Sequence, residues 1–317
     1  MARRDTDTSL REPQDNSILT NQCHKKQGPT MTDLHNKKCV ITGAASGIGR
    51  AVALAAGAHG ARLFLTDINQ QALDETASQL ADQGATVEVS QALDITDYHA
   101  VRAFAEQIHA HHGSMDVLMN IAGIAIWGPV DKLEHQHWRS LVEVNLMGPI
   151  HVLESFLPTM VAAGRGGHVL TVSSAAGLFG LPWHAGYNAS KFAVRGISEA
   201  MRYDLRRHRI HVSLVCPGAV NTGLVQTIQI VGIDQHTPEV EKLKQRFQRH
   251  AVTPQQAANA ILKGLKHNRY LIYTSPDIRL GYWFKRKWAW PFEQVIRVIG
   301  LQLDRVARRQ QQDQRVE

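Results

Sequence analysis

Tyr187 and Lys191 stand four residues apart in Tyr187-Asn188-Ala189-Ser190-Lys191, a pair able to move a proton. A phenol alone is a poor base at neutral pH, because it titrates near pH ~10. On a helix, residues four apart share a face. A lysine charge about 5 Å from the phenol oxygen, at an effective dielectric near 20, favours the phenolate by roughly 3 kcal/mol. That corresponds to about two pKa units. A second chemistry is offered upstream by Thr42-Gly43-Ala44-Ala45-Ser46-Gly47-Ile48-Gly49, which follows the apolar run Cys39-Val40-Ile41 and leads into an alanine-rich segment. Strand, tight glycine turn and helix in that order bring backbone close to a pyrophosphate and aim the positive end of a helix at it. Gly43, Gly47 and Gly49 sit where a side chain would block turn, ligand or packing, with Ser46 and Ile48 completing the loop. The spacing is G-x-x-x-G-x-G, not the common G-x-G-x-x-G. A dinucleotide loop and a proton-transfer pair in one chain predict a nicotinamide-dependent oxidoreductase.

The nucleotide is read from the next strand. Asp67 closes Ala61-Arg62-Leu63-Phe64-Leu65-Thr66-Asp67. A carboxylate there accepts hydrogen bonds from ribose hydroxyls and repels a 2′-phosphate, so NAD is expected over NADP. Arg50, just after the glycine loop, is the one nearby cation that favours phosphate; its simpler reading is a solvated first-turn arginine.

These residues need elements to hold them. Apolar runs recur at 39–42, 61–66, 87–93, 117–121, 168–173, 211–216 and 270–273, with helix-like segments between. That alternation predicts an α/β fold: a single Rossmann-type, doubly wound parallel sheet with helices on both faces. The expected organisation is a polar, disordered tail over 1–36, a catalytic domain over 37–276 and a basic aromatic extension over 277–317 that is amphipathic and helical.

From about Lys37 to Pro276 the chain resembles the classical short-chain dehydrogenase/reductase family. The resemblance implies roles for further residues. Ser174, thirteen residues before Tyr187, matches the serine whose hydroxyl orients and polarises the substrate oxygen, with Ser173 as its close competitor. Asn145, in Val144-Asn145-Leu146, matches the asparagine that organises a water-linked relay to the lysine. Asn120-Ile121-Ala122-Gly123 resembles the N-A-G turn after the fourth strand, with isoleucine where a second asparagine is common; Asn120, Ala122 and Gly123 are expected to shape the cofactor floor. Asp94 matches the aspartate that contacts the adenine amine, or else caps a helix beginning near Thr96. Pro217, Gly218, Val220 and Thr222 match the segment that embraces the nicotinamide carboxamide, and the region from Gly223 to His250 matches a lid over the substrate. Tyr187 and Lys191 also belong to the cofactor site in this family. Family members commonly assemble through the helices carrying Asn145 and Tyr187, so a homo-oligomer is expected.

Composition narrows the remaining classes. At 317 residues and 44% hydrophobic, the chain can bury a sizeable core. Cys23, Cys39 and Cys216 form no pattern, which suits a reducing, cytoplasmic compartment better than a disulfide framework. Among 17 histidines the densest group, His109, His111 and His112, precedes Gly113 at a helix end without ligand-spaced carboxylates or cysteines, so no metal site is expected. Residues 1–36 hold no apolar stretch of signal-peptide or membrane-span length, and Met31 is an alternative start.

The basic character is local. Residues 263–317 carry 12 Lys/Arg against 5 Asp/Glu, an excess equal to the net charge of +7. Three of the six tryptophans fall within 283–290, interleaved with Lys285, Arg286 and Lys287. Phe292, Val295, Ile296, Ile299, Leu303 and Val306 then follow helical spacing, with Arg297, Arg305, Arg308 and Arg309 on other faces. Two readings stand: peripheral membrane attachment through rings and cations, or packing on the protein's own fold or a partner subunit. No nucleic-acid-binding module accompanies the charge. Trp127, Leu178, Phe179, Leu181, Pro182 and Trp183 flank the motifs and predict an apolar cleft for a lipophilic alcohol or ketone, steroid-, retinoid- or long-chain-like. The alternatives are an NADPH-dependent ketoreductase of acyl-carrier-protein type and a non-catalytic protein that senses dinucleotide or docks a partner.

Overall fold

The computed structural model describes residues 32–223, 228–234, 237, 245 and 251–313, with side chains as far as Arg308. Most of the expected tail and much of the expected lid lie outside the described residues. Residues 32–36, placed in the tail by composition, belong to the fold: Leu34 is buried in the core, and the Thr32 and Asn36 amides donate to the Lys266 and Gly60 carbonyls. One buried leucine and two backbone bonds are enough to fix a short polar segment.

Seven parallel strands form one sheet, β1 (Lys38–Thr42), β2 (Arg62–Asp67), β3 (Thr86–Ala92), β4 (Val117–Asn120), β6 (Gly167–Val172), β7 (Ile210–Cys216) and β9 (Leu271–Tyr273), in the order β3-β2-β1-β4-β6-β7-β9. All seven apolar runs become strands of this sheet. A second, two-stranded ladder pairs β5 (Ile126–Trp127) with β8 (Gln229–Ile230), a pairing too short to leave a pattern in the sequence.

The helices are α1 (Gly47–Ala58), α2 (Gln70–Asp82), α3 (Tyr98–His112), α4 (His135–Val142), α5 (Gly148–Ala163), α6 (Ala185–Asp204), α7 (Pro254–Lys266), α8 (Pro276–Lys287) and α9 (Ala289–Asp313). The side chains of Cys39, Val40 and Ile41 are fully buried, as the central strand of a sheet covered on both faces requires. On one face α1 and α7 share a core with Ile41, Leu63 and Met119; on the other, α3 and α5 share one with Val40, Phe64 and Leu118. Helix α3 begins at Tyr98, two residues later than Thr96, because Asp97 accepts from the Ala100 amide as its N-cap. The run His135–Ala163 is long and apolar enough to cross a membrane by composition; here Val152, Phe156 and Met160 on it are core residues. It turns from α4 to α5 through a π-helical segment, Glu143–Met147, that carries Asn145.

The order in which strands are added reverses between β1 and β4, where crossovers leave to opposite sides. A crevice opens there at the carboxyl ends of the strands.

Candidate active site

The crevice is a cleft of about 1190 Å³, roomy enough for a dinucleotide and a second molecule together. Its dinucleotide end is built from glycine geometry. Gly43 has φ +72°, and a Cβ there would lie 2.8 Å from the Cα of Ala122, so the first loop and the β4 turn touch backbone to backbone. A Cβ on Gly49 would collide with the Gly43 carbonyl oxygen. Thr42 Oγ1 accepts from the amides of Ile121 and Ala122 at 3.1 and 3.2 Å, fastening the same two turns. Sequence reasoning passed over that hydroxyl because a threonine at a strand end reads as ordinary strand. Ser46 caps α1 without turning its side chain back on the helix, leaving the first helical amides facing the cleft.

Asp67 ends β2 at the edge of this loop. One carboxylate oxygen accepts from the Ala45 amide at 3.0 Å and the other from Asn69 at 3.1 Å, which fixes the carboxylate beside the cleft. Arg50 turns away to donate to Gln79 Oε1 on α2 at 3.0 Å. Asp94 lines the cleft and accepts from the amide and hydroxyl of Thr96, bracing its own loop instead of capping α3. Asn120 departs from expectation. It is buried at the end of β4 with its amide reaching toward the Pro149 carbonyl on α5, beneath the floor, while Ala122 and Gly123 form the surface. Pro217, Gly218, Val220 and Thr222 line the opposite wall, held where the Pro217 carbonyl accepts from Ala175 and where Val220 bridges to Val252.

At the other end the proton-transfer residues converge. Asn145 is 1% exposed and clamps the Ile124 backbone, accepting from its amide and donating to its carbonyl, both at 2.9 Å. The π segment turns that side chain inward from an otherwise regular helix. A Cβ on Gly123 would sit 2.8 Å from Asn145 Oδ1 and 3.2 Å from Lys191 Nζ, so glycine is what lets the floor pass between them. Ser174 stands close enough to the Tyr187 phenol to pull its pKa down, while its Oγ accepts from the Ala176 amide at 3.1 Å. Ser173 instead donates to the Lys191 carbonyl at 2.9 Å and is buried, which separates the two candidates by geometry.

The electrostatics differ from the simple Tyr–Lys estimate. Lys191 Nζ lies 5.8 Å from the Tyr187 ring centroid and donates to the Val172 carbonyl at 3.2 Å. Lys191 is 4% exposed, and burial pulls its ammonium down to about 8. Burial likewise pushes the Tyr187 phenol up, with the Ser174 hydroxyl pulling it partly back. Desolvation opposes both charged forms, so the pair without dinucleotide is held mostly as ammonium and neutral phenol.

Sequence reasoning missed His184 and took Trp183 only as a wall of the cleft. His184 lines the cleft beside Trp127, ring centroids 4.4 Å apart, with Nδ1 donating to the Pro182 carbonyl at 2.6 Å. Burial pulls it down to about 4, so it is neutral near pH 7 and keeps Nε2 as an acceptor. Trp183 adopts φ +62°, a left-handed conformation costly for a bulky residue. The cleft walls beyond Tyr187 are apolar: Ile124, Ala125, Trp127, Leu181, Ile228 and Ile230, with the β5–β8 ladder tying the described part of the expected lid to the floor. Ile299 and Leu303 of α9 also line it, a role for the extension that no motif announced.

The chain is similar to known proteins in sequence and in fold. The family model for short chain dehydrogenase matches residues 37–230. A Mycobacterium tuberculosis protein, SadH, is 37% identical over 238 residues, covering 74% of this chain and 84% of that protein. A Burkholderia phymatum short chain dehydrogenase/reductase in complex with NAD is 29% identical, with TM-score 0.73, covering 81% of this chain and 95% of its own. A Beutenbergia cavernae structure with NADP at low occupancy is 26% identical, with TM-score 0.68, covering 80% of this chain and 100% of its own. The glycine cradle fits a dinucleotide of either kind. The chain belongs to the short-chain dehydrogenase family, whose members are NAD(P)-dependent oxidoreductases.

Proposed function

We propose that this protein interconverts a lipophilic secondary alcohol and its ketone using NAD. The observation that carries the reading is a single cleft with the fixed Asp67 carboxylate at one end and Ser174, Tyr187 and Lys191 beside apolar walls at the other. Asp67 favours ribose hydroxyls over a 2′-phosphate, and Arg50, engaged by Gln79, is not aimed at one. The bound nicotinamide supplies the hydride acceptor or donor. Ser174 donates a hydrogen bond to the substrate oxygen while Tyr187 takes or returns its proton. Lys191 stabilises the phenolate as it forms, and Asn145 holds the floor that keeps Lys191 in place. Asp94 borders the adenine end, and Pro217 to Thr222 border the nicotinamide end. Among the described residues, no Lys or Arg lines the substrate end of the cleft apart from Lys191, which supports an uncharged substrate. Exposed Val142 and Phe192, on α4 and α6, support a homo-oligomer formed through those helices.

The test is turnover of a panel of lipophilic secondary alcohols with NAD and separately with NADP, alongside Tyr187→Phe. NAD-linked turnover is expected. Tyr187→Phe should reduce it by about 10²- to 10⁴-fold while leaving dinucleotide binding intact. Turnover with NADP alone would overturn the reading of Asp67. A folded chain that binds no dinucleotide would overturn the assignment as a whole.

A further inference from the structure

We propose that α8 and α9 form a docking surface for an anionic lipid bilayer, set against the mouth of the cleft. Both helices pack on the fold by one face only. Tyr282 and Phe292 contact Phe179, the Phe292 ring stacking at 5.5 Å, and Lys285 donates to the Leu178 carbonyl at 2.7 Å. The other face is open and unusually apolar. Among the described residues, eight of thirteen exposed large hydrophobic side chains lie between Leu280 and Leu301, including Trp283 at 49% and Trp290 at 71% exposure. Monomeric proteins rarely leave such side chains contiguous without a use for them.

The charge pattern selects the occupant. Arg297, Leu301, Arg305 and Arg308 recur at four, four and three residues, one face of α9, and all are exposed. Arg279, Arg286 and Lys287 are exposed on α8. The acids on these helices, Asp277, Glu293, Asp304 and Asp313, are fewer than the eight cations, so the helix pair carries net positive charge. Exposed tryptophans beside arginines suit the headgroup level of a bilayer, where a ring is half in hydrocarbon and a cation meets lipid phosphate. A second copy of the chain suits it less, because a symmetric pairing through this patch would set like charges opposite one another.

Helix α9 joins this face to the cleft. Leu303 lines the cleft from the inner side, and Ile299 both lines it and is exposed. A lipid surface on the outer face would therefore lie beside the entrance for an apolar ligand. The docking surface itself does not depend on the identity of the substrate.

Flotation of the full-length chain with vesicles decides the matter, using phosphatidylcholine alone and equal parts phosphatidylcholine and phosphatidylglycerol. The chain should float with the mixed vesicles and remain behind with the neutral ones. Arg297→Gln with Arg305→Gln should weaken binding about thirtyfold, near fivefold per charge. Joint replacement of Trp283, Trp288 and Trp290 by Ser should abolish it, with dinucleotide binding retained as the check of folding. A folded parent chain that stays behind with mixed vesicles overturns the proposal, as do variants that float as well as the parent. Self-association of the parent that the tryptophan replacements abolish, without flotation, would assign the face to a second copy and overturn it equally.

Discussion

The cleft has a floor and a roof made on different terms. The floor comes from strand ends and tight turns, where atoms are placed by backbone. Gly43 touches Ala122, Thr42 fastens both turns, and Gly123 leaves room for Asn145 and Lys191. The roof comes from side chains on α9 and the segment before α6, where Leu303, Ile299 and Trp183 line the cleft. Backbone contacts tolerate no added methyl group; a side-chain roof can change residue by residue. The difference predicts that the floor determines whether the reaction occurs and the roof determines what undergoes it.

Lys191→Met should give the largest effect and tests the floor. The lysine is held at about 8 by burial, against 10.5 for the unfolded group. Between those pH values the folded chain binds fewer protons than the unfolded one, so this group adds stability as pH rises from 8 toward 10.5. Below 8 its full burial penalty remains, about 3 kcal/mol. Methionine removes the charge and also the hydrogen bond to the Val172 carbonyl. Turnover should fall by at least about 10²-fold, while the dinucleotide-free protein gains roughly 2 kcal/mol at pH 7. Denaturant melts at pH 7 and pH 10 check this: the parent should be steeper with pH than the variant. Equal slopes would mean that Lys191 carries no burial penalty, and the floor would lose its electrostatic role.

How much of each half could be read in advance follows from the same contrast. The glycine loop, Asp67 and the Tyr187/Lys191 pair were legible because backbone-built sites demand particular residues at fixed spacing. The seven strands were legible as well, since burial on both faces makes continuous apolar runs. Several features left no such trace. Asn120 faces Pro149 because of the pleat at the end of β4, which residue type does not reveal. The β5–β8 ladder is two residues long on each side. The depressed lysine depends on burial by distant segments, so a pairwise charge estimate pointed the wrong way for Tyr187 in the dinucleotide-free state. The extension was legible as an amphipathic helix, yet its spacing could not say that Leu303 would face the cleft.

Leu303→Ala tests the roof at intermediate size. Truncation opens the apolar wall without touching Ser174, Tyr187 or Lys191. Expected is about a tenfold fall in kcat/KM for the bulkiest alcohol that turns over, carried by KM, with dinucleotide affinity unchanged. Steady-state kinetics across alcohols of graded size read it. A fall in kcat with constant KM would make α9 part of the reacting centre and erase the distinction between the two halves.

The smallest effect is at Trp183, where the roof bends backbone as the floor does. Its φ of +62° is one that glycine adopts freely and other residues adopt at a cost. The conformation is held from outside: the Trp183 carbonyl accepts from the Gly128 amide at 2.7 Å. Trp183→Gly and Trp183→Ala lose nearly the same side-chain contacts, so comparing them isolates the backbone. At ordinary positions alanine is the more stable of the two, because glycine gives up more freedom on folding. Here the order should reverse, with the glycine variant more stable by about 1 kcal/mol in paired thermal melts. If alanine proves the more stable, Trp183 sits without strain, and the roof, unlike the floor, contains no position where backbone geometry limits the choice of residue.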